Sequence, residues 1–235
     1  GRLLFAELLL GCAACRHLVI AKPEAGREAI AALHQSVRKR EQRCVESLLQ
    51  LYAFRPDDAE TGKLPLFDGR WGDDLFNPET LKQLGIQIGS GVAAGAAAGA
   101  GIDLLVGGIS LGAAAAIGAL TGGGAQTARK YGKRLLGKLK GQHELSIDDN
   151  ILRLLAVRQL QLLQALQQRG HAAVNKLKLE DQEAGNWQEG ELPDALRKAR
   201  AYPEWSSLNP DSSANSPERQ AQISQLANQL ANPPK

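Results

Sequence analysis

Apolar and polar positions change rhythm several times along this chain. Residues 2–20 are apolar with few interruptions and stop before Pro23, a residue that ends or kinks a helix. From Glu24 to Tyr52 the apolar residues Ile30, Leu33, Val37, Cys44, Leu48 and Leu51 recur at helical spacing. Across them Arg38, Lys39, Arg40, Glu41, Gln42 and Arg43 form a charged belt, read as a solvated face or as a contact for a partner helix. Turn formers then crowd residues 55–79 and predict a loop, or a short hairpin about Asp68-Gly69. Its aromatics Phe67, Trp71 and Phe76 fit either a membrane interface or a small apolar cap on the helical core. Asp68, Asp73 and Asp74 suit turns and helix starts, with no ligand set around them to hold a metal.

Between Lys82 and Arg129 the rhythm gives way to glycine and alanine, and Asp103 is the single charge. Helical spacing puts Gly91, Gly95 and Gly99 on one face, with Gly85 and Gly89 one turn earlier; Ser110, Ala114, Gly118 and Gly122 repeat the i, i+4 pattern further on, and Gly108 and Gly112 count with them as helix-packing residues. Such small-residue ridges let two helix backbones approach closely. Leu84 to Ile102 and Leu104 to Gly123 would each give roughly 28–30 Å of helix at ~1.5 Å per residue, the thickness of a bilayer core. The economical arrangement is a helical hairpin with its tip near Gly101-Ile102-Asp103 or at Gly107-Gly108. Flanking charge agrees, because Lys82 precedes the hairpin and Arg129, Lys130, Lys133 and Arg134 follow it. The competing reading is a pair of Ala/Gly helices buried in a protein core.

Residues 129–140 are basic and amphipathic, and Arg129, Lys130, Lys133, Arg134, Lys138 and Lys140 would meet anionic headgroups. Nucleic acid is disfavoured because interleaved stacking aromatics are missing. Ser146-Ile147-Asp148-Asp149 resembles a capping box opening a long helix that ends before Gly170, with Ile151, Leu154, Leu155, Leu162, Leu163 and Leu166 inward and Arg153, Arg158, Gln161 and Gln168 solvated. His171 then reads as a C-terminal cap. Residues 178–191 form a polar linker around Trp187, a short helix follows Pro193, and Glu218 to Leu230 makes a last amphipathic helix.

Composition adds three constraints. Net charge is only +3 and aromatics are 4%, which favours helices and does not indicate nucleic acid. Cys12, Cys15 and Cys44 are an odd number and make no disulfide framework, and Cys12-Ala-Ala-Cys15 lacks the second pair a zinc site needs. Leu9-Leu10-Gly11-Cys12 is similar to a lipoprotein cleavage motif, so an envelope lipoprotein is a third reading. The chain contains no methionine, even at position 1, which predicts a fragment, a processed product or the tail of a longer protein. It also contains no GxxxxGK[ST], HExxH or GxSxG motif, so no catalytic, cofactor-binding or metal-binding residue is assigned.

The run FDGRWGDDLFNPETLKQLGIQIGSGVAAGAAAGAGIDLLVGG, then KYGKRLLGKL and DDNILRLLAVRQLQLLQALQQRGHAA, resembles the uncharacterised C-terminal domain that follows a small Era-type GTPase domain in a group of proteobacterial proteins. The resemblance covers about Leu64 to Leu230, and residues before Leu64 match poorly. It implies a parent protein that binds GTP and Mg and hydrolyses GTP in a separate G domain. This chain carries neither a phosphate loop nor an NKxD-type guanine-reading motif, so no residue here takes that role.

The expectation is an all-α fold, non-catalytic, acting as a membrane-associating effector domain on the cytoplasmic side of a bacterial inner membrane. Its partners would be membrane lipids, a second copy through the glycine zipper, and a protein held by helix 24–52. The alternative is a soluble helical oligomerisation or partner-binding module. Five segments are expected: a helical segment at 1–54, an aromatic and acidic loop at 55–81, the glycine-zipper hairpin at 82–128, basic and leucine-rich helices at 129–177, and a linker with short helices at 178–235.

Overall fold

A helix that is apolar on all sides has no solvent face to offer and must be enclosed. Arg2–Ala13 (α1) is such a helix, and from Phe5 to Ala13 every residue but Glu7 is buried. A computed structural model describes residues 1–20, 23–54, 64–86, 102–104, 142–168, 187, 191–209, 212–213 and 215–230. In it α1 touches α2 (Pro23–Leu51), α4 (Asp149–Gln168), α5 (Asp194–Ala199) and α6 (Pro217–Gln229). The fold is mostly helical, as the pattern predicts, with α3 (Pro78–Gln83) and a short 3-10 turn at Pro203–Trp205 completing the helical set.

Three strands were not foreseen. His17–Ile20 (β1), Ile102–Leu104 (β2) and Gln142–Ile147 (β3) form an antiparallel sheet in the order β1-β3-β2. Leu145 is the register point of both pairs, facing His17 on one side and Leu104 on the other. The apolar run at residues 2–20 is therefore not one helix: it stops at Ala13 and continues as a strand. Its exit is fixed by Asn209, which is buried and uses its whole amide. Asn209 Nδ2 donates to Ala14 O at 3.4 Å and Pro203 O at 2.6 Å, and its Oδ1 accepts from Arg16 N at 3.1 Å.

The sheet also relocates part of the glycine-rich stretch. Ile102 pairs with Ile147 and Asp103 with Ser146, so a hairpin tip at Gly101-Ile102-Asp103 is incompatible with the fold. Gly85 itself is not a helical position. It lies just past α3 at φ +69°, where Gly85 N donates to Lys82 O and Ile86 N to Leu81 O, both at 3.0 Å. That is a helix stop needing a left-handed residue, sealed by contact-range burial of Leu81 and Ile86. Gly89, Gly91, Gly95, Gly99, Gly108, Gly112, Gly118 and Gly122 lie outside the described residues, as do Arg129, Lys130, Lys133, Arg134, Lys138 and Lys140. Among the described residues no helix is long and apolar enough to cross a membrane.

Helix starts follow local chemistry. Asn77 accepts from Glu79 N ahead of Pro78, and Ser216 accepts from Arg219 N ahead of Pro217. At α4 the capping side chain is Asp148, which accepts from Asn150 N at 2.7 Å, while Ser146 is buried in β3. The box was read two residues early because the strand ends where the helix begins.

Asn209→Ala removes the acceptor of Arg16 N and the donors to Ala14 O and Pro203 O in a site closed to water. A loss of roughly 2–3 kcal/mol in unfolding free energy is expected by urea titration, since buried orphaned groups cost about 1–3 kcal/mol each.

Candidate functional site

The charged belt of α2 and the aromatic loop come together as the two walls of an open groove of about 590 Å³. The loop is anchored at its near end by a two-residue turn. Phe67 N donates to Arg70 O at 2.8 Å and Arg70 N to Phe67 O at 3.0 Å, with Asp68 at φ 49° and Gly69 at φ 68°. Positive φ at both central residues is the hairpin geometry that Asp-Gly predicts. Gln42 Nε2 donates to Gly69 O at 3.2 Å and ties this turn to α2.

Beyond the turn the loop runs along one face of α2 and is gripped at positions 34, 38 and 41. His34 stacks on Phe76 with ring centroids 3.6 Å apart. Arg38 holds Asp74 through two hydrogen bonds of 2.8 Å and lies over the Phe76 ring. Glu41 pairs with Arg158 of α4 at 3.4 Å, both side chains being almost fully enclosed. Arg158 also donates to Asp73 O at 2.7 Å and lies over the Trp71 ring, 5.3 Å from its centroid. The loop is thus clamped by one arginine from each of two helices.

These contacts sort the aromatics that sequence treated as a group. Phe76 is buried, Trp71 is half-buried against Arg158, and Phe67 stands 81% exposed on the turn. They also correct the reading of α4: Arg153 and Arg158 are buried, because Trp187 O accepts from Arg153 and the loop covers Arg158. Nothing in the local pattern of α4 signals this, since the covering residues lie more than thirty positions away on either side.

Burial sets the electrostatics. Desolvation pushes the Glu41 carboxyl upward, with Arg158 opposing it. Desolvation, helped by Arg38, lowers His34 to about 4, so its ring is neutral against Phe76. Its hydrogen bonds to Arg38 hold Asp74 below the usual carboxylate range. Burial pushes the thiols of Cys12, Cys15 and Cys44 up to about 12, so they are inert core groups and poor nucleophiles. Lipoprotein processing at Cys12 would also cut away most of α1, on which the core is built. Among the described residues no group of three or more His, Cys, Asp or Glu side chains could hold a metal.

A second feature is the open end of the sheet. Leu104 pairs with Leu145, and β3 begins at Gln142, so the segment 105–141 leaves and re-enters at neighbouring strands.

The body is a mostly helical domain carrying a small antiparallel sheet. The chain belongs to the DUF3482 family, a domain of unknown function whose model matches residues 1–228. The match begins at residue 1, so α1 and α2 belong to the domain and the family likeness is not confined to residues after Leu64. No curated protein and no solved structure matches the chain.

Two predictions follow from the clamp. Arg158→Met should cost about 3–5 kcal/mol by urea titration, because Glu41 is then buried without a counter-charge, and adding Glu41→Gln should restore part of the loss. For His34 the folded value of about 4 lies below the unfolded 6.5, so the unfolded chain binds the extra proton between these values. Stability should fall as pH drops from about 6.5 to 4 and stop responding to this group below that. His34→Phe, which keeps a ring on Phe76, should flatten that part of the curve of melting temperature against pH.

Proposed function

We propose that this chain is a non-catalytic domain that associates with membranes by a re-entrant segment rather than by spanning. The observation that carries it is the antiparallel pairing of Ile102–Leu104 with Leu145–Ile147. Both ends of 105–141 are held side by side, so an odd number of bilayer crossings between them is excluded. The sequence between is uncharged from Leu105 to Ala128, then basic from Arg129 to Lys140. Divided into two arms, the uncharged part gives about 18 Å of helix per arm at ~1.5 Å per residue, well short of the ~30 Å hydrocarbon core. Such a segment dips into one leaflet while the basic run meets the headgroups. Under this reading Gly108, Gly112, Gly118 and Gly122 serve close packing within the dip, and Asp103 stays with the folded body.

The resemblance to the domain behind an Era-type G domain adds a second part to the proposal: nucleotide state in a separate domain would control membrane attachment. The reading frame upstream of Gly1 tests that part directly. A phosphate-loop motif in frame supports it, and a stop codon there overturns it.

For the membrane part, the chain should float with phosphatidylglycerol vesicles in a density gradient. Lys133→Glu with Arg134→Glu should weaken that binding by more than tenfold, given about 1 kcal/mol per basic residue near an anionic surface. A chain that stays at the bottom of the gradient, or binds unchanged after the charge reversal, overturns the proposal.

A further inference from the structure

The groove between α2 and the clamped loop has charges left over after its internal pairs are formed. Arg38 is committed to Asp74 and Arg158 to Glu41. Lys39, Arg43 and Arg70 line the same groove, are exposed, and have no side-chain partner among the described residues. Against them stand Asp73 and Glu46, the latter accepting from Gln42 at 3.1 Å. Lys39 and Arg43 are one helical turn apart on α2, and Arg70 projects from the opposite wall.

Two further features point to an occupant. Trp71 lines the groove half-buried, with Arg158 over its ring and its Nε1–H shielded from water and without an acceptor among the described residues. Phe67, on the same turn as Arg70, leaves its ring open to solvent, although the loop's other aromatics, Trp71 and Phe76, are half-buried and buried. Arginine, tryptophan and an exposed aromatic around a concave site are the composition of protein-binding hot spots.

We infer that this groove docks an acidic peptide segment of a partner protein. Carboxylates one helical turn apart would meet Lys39 and Arg43, a further acceptor would meet Arg70, and an apolar side chain would cover Phe67. The walls of the groove are already joined before binding, because the turn is tied to α2 by Gln42 and the loop is held by Arg38 and Arg158. No ordering cost falls on the loop when a segment arrives. The inference stands apart from the membrane proposal, since every residue it uses lies on the folded body.

The test uses a fluorescein-labelled hexaglutamate peptide and the full chain, with binding read by fluorescence anisotropy at low salt. Arg43→Glu with Arg70→Glu, both on exposed side chains, should weaken binding at least tenfold, while Lys133→Glu with Arg134→Glu should change it by less than about twofold. In a 1H–15N spectrum the indole resonance that disappears in Trp71→Phe should shift as the peptide is added. Absence of binding, loss of binding through Lys133 and Arg134 instead, or an unmoved Trp71 indole resonance each overturns the inference. So does a result in which the Arg43 and Arg70 reversals abolish phosphatidylglycerol vesicle binding and leave the peptide unaffected, which would make the groove a headgroup site.

Discussion

The enclosure of α1 is the constraint on which the rest of the fold depends. Phe5, Leu8, Leu9, Leu10 and Cys12 are all at 2% exposure or less, so every side of this helix must be supplied with a partner. Side chains of this size release about 1.5–3 kcal/mol each on full burial, and their sum is the main driving term for assembling four other helices around one rod. The single polar residue within the enclosed turns, Glu7, is met by Arg219 of α6 at 3.3 Å. Helix and lid are thereby matched in charge as well as in shape.

Segments outside the long helices, the end of β3 among them, are held to the helical core by arginines reaching for backbone carbonyls. Arg158 donates to Asp73 O, Arg153 to Trp187 O, Arg200 to Ile147 O, and Arg219 to Trp205 O. A guanidinium suits this work because it offers several donors in one plane and keeps its charge when buried. The outcome is loops held by side chains as well as by their own turns, and the groove beside α2 is one product of it. Its inner charges are spent on the clamp, while Lys39, Arg43 and Arg70 have no side-chain partner among the described residues.

Much of this architecture is legible in the residue pattern. The long helix through Ile30, Leu33, Val37 and Leu48, the Asp68-Gly69 turn and the amphipathic helix from Glu218 all rest on local chemistry, and local chemistry is what a sequence displays. The three strands were hidden for the opposite reason. They are three to six residues long, and β1 finds β3 more than a hundred positions away, so periodicity has no room to declare them. Gly85 misled because glycine serves both helix packing and left-handed turns, and only its φ distinguishes the two. Arg158 misled because a charged residue at helical spacing looks solvated until the segment covering it is known. The site was half visible: its two walls were each singled out, but their meeting was not.

Glu7 and Arg219 are separated by 212 positions, and Ala14 and Asn209 by 195, yet both contacts close on the same central rod. A nucleus of local contacts cannot finish such a body, because the pocket for its first helix is completed by nearly its last. During synthesis the apolar rod leaves the ribosome long before α6 exists, and it must wait, exposed, while the intervening chain is made. Long-range closure of this kind slows acquisition of the native state and lengthens exposure to misassembly. The topology thus sets how long the most apolar helix stays open to other chains before its own chain covers it.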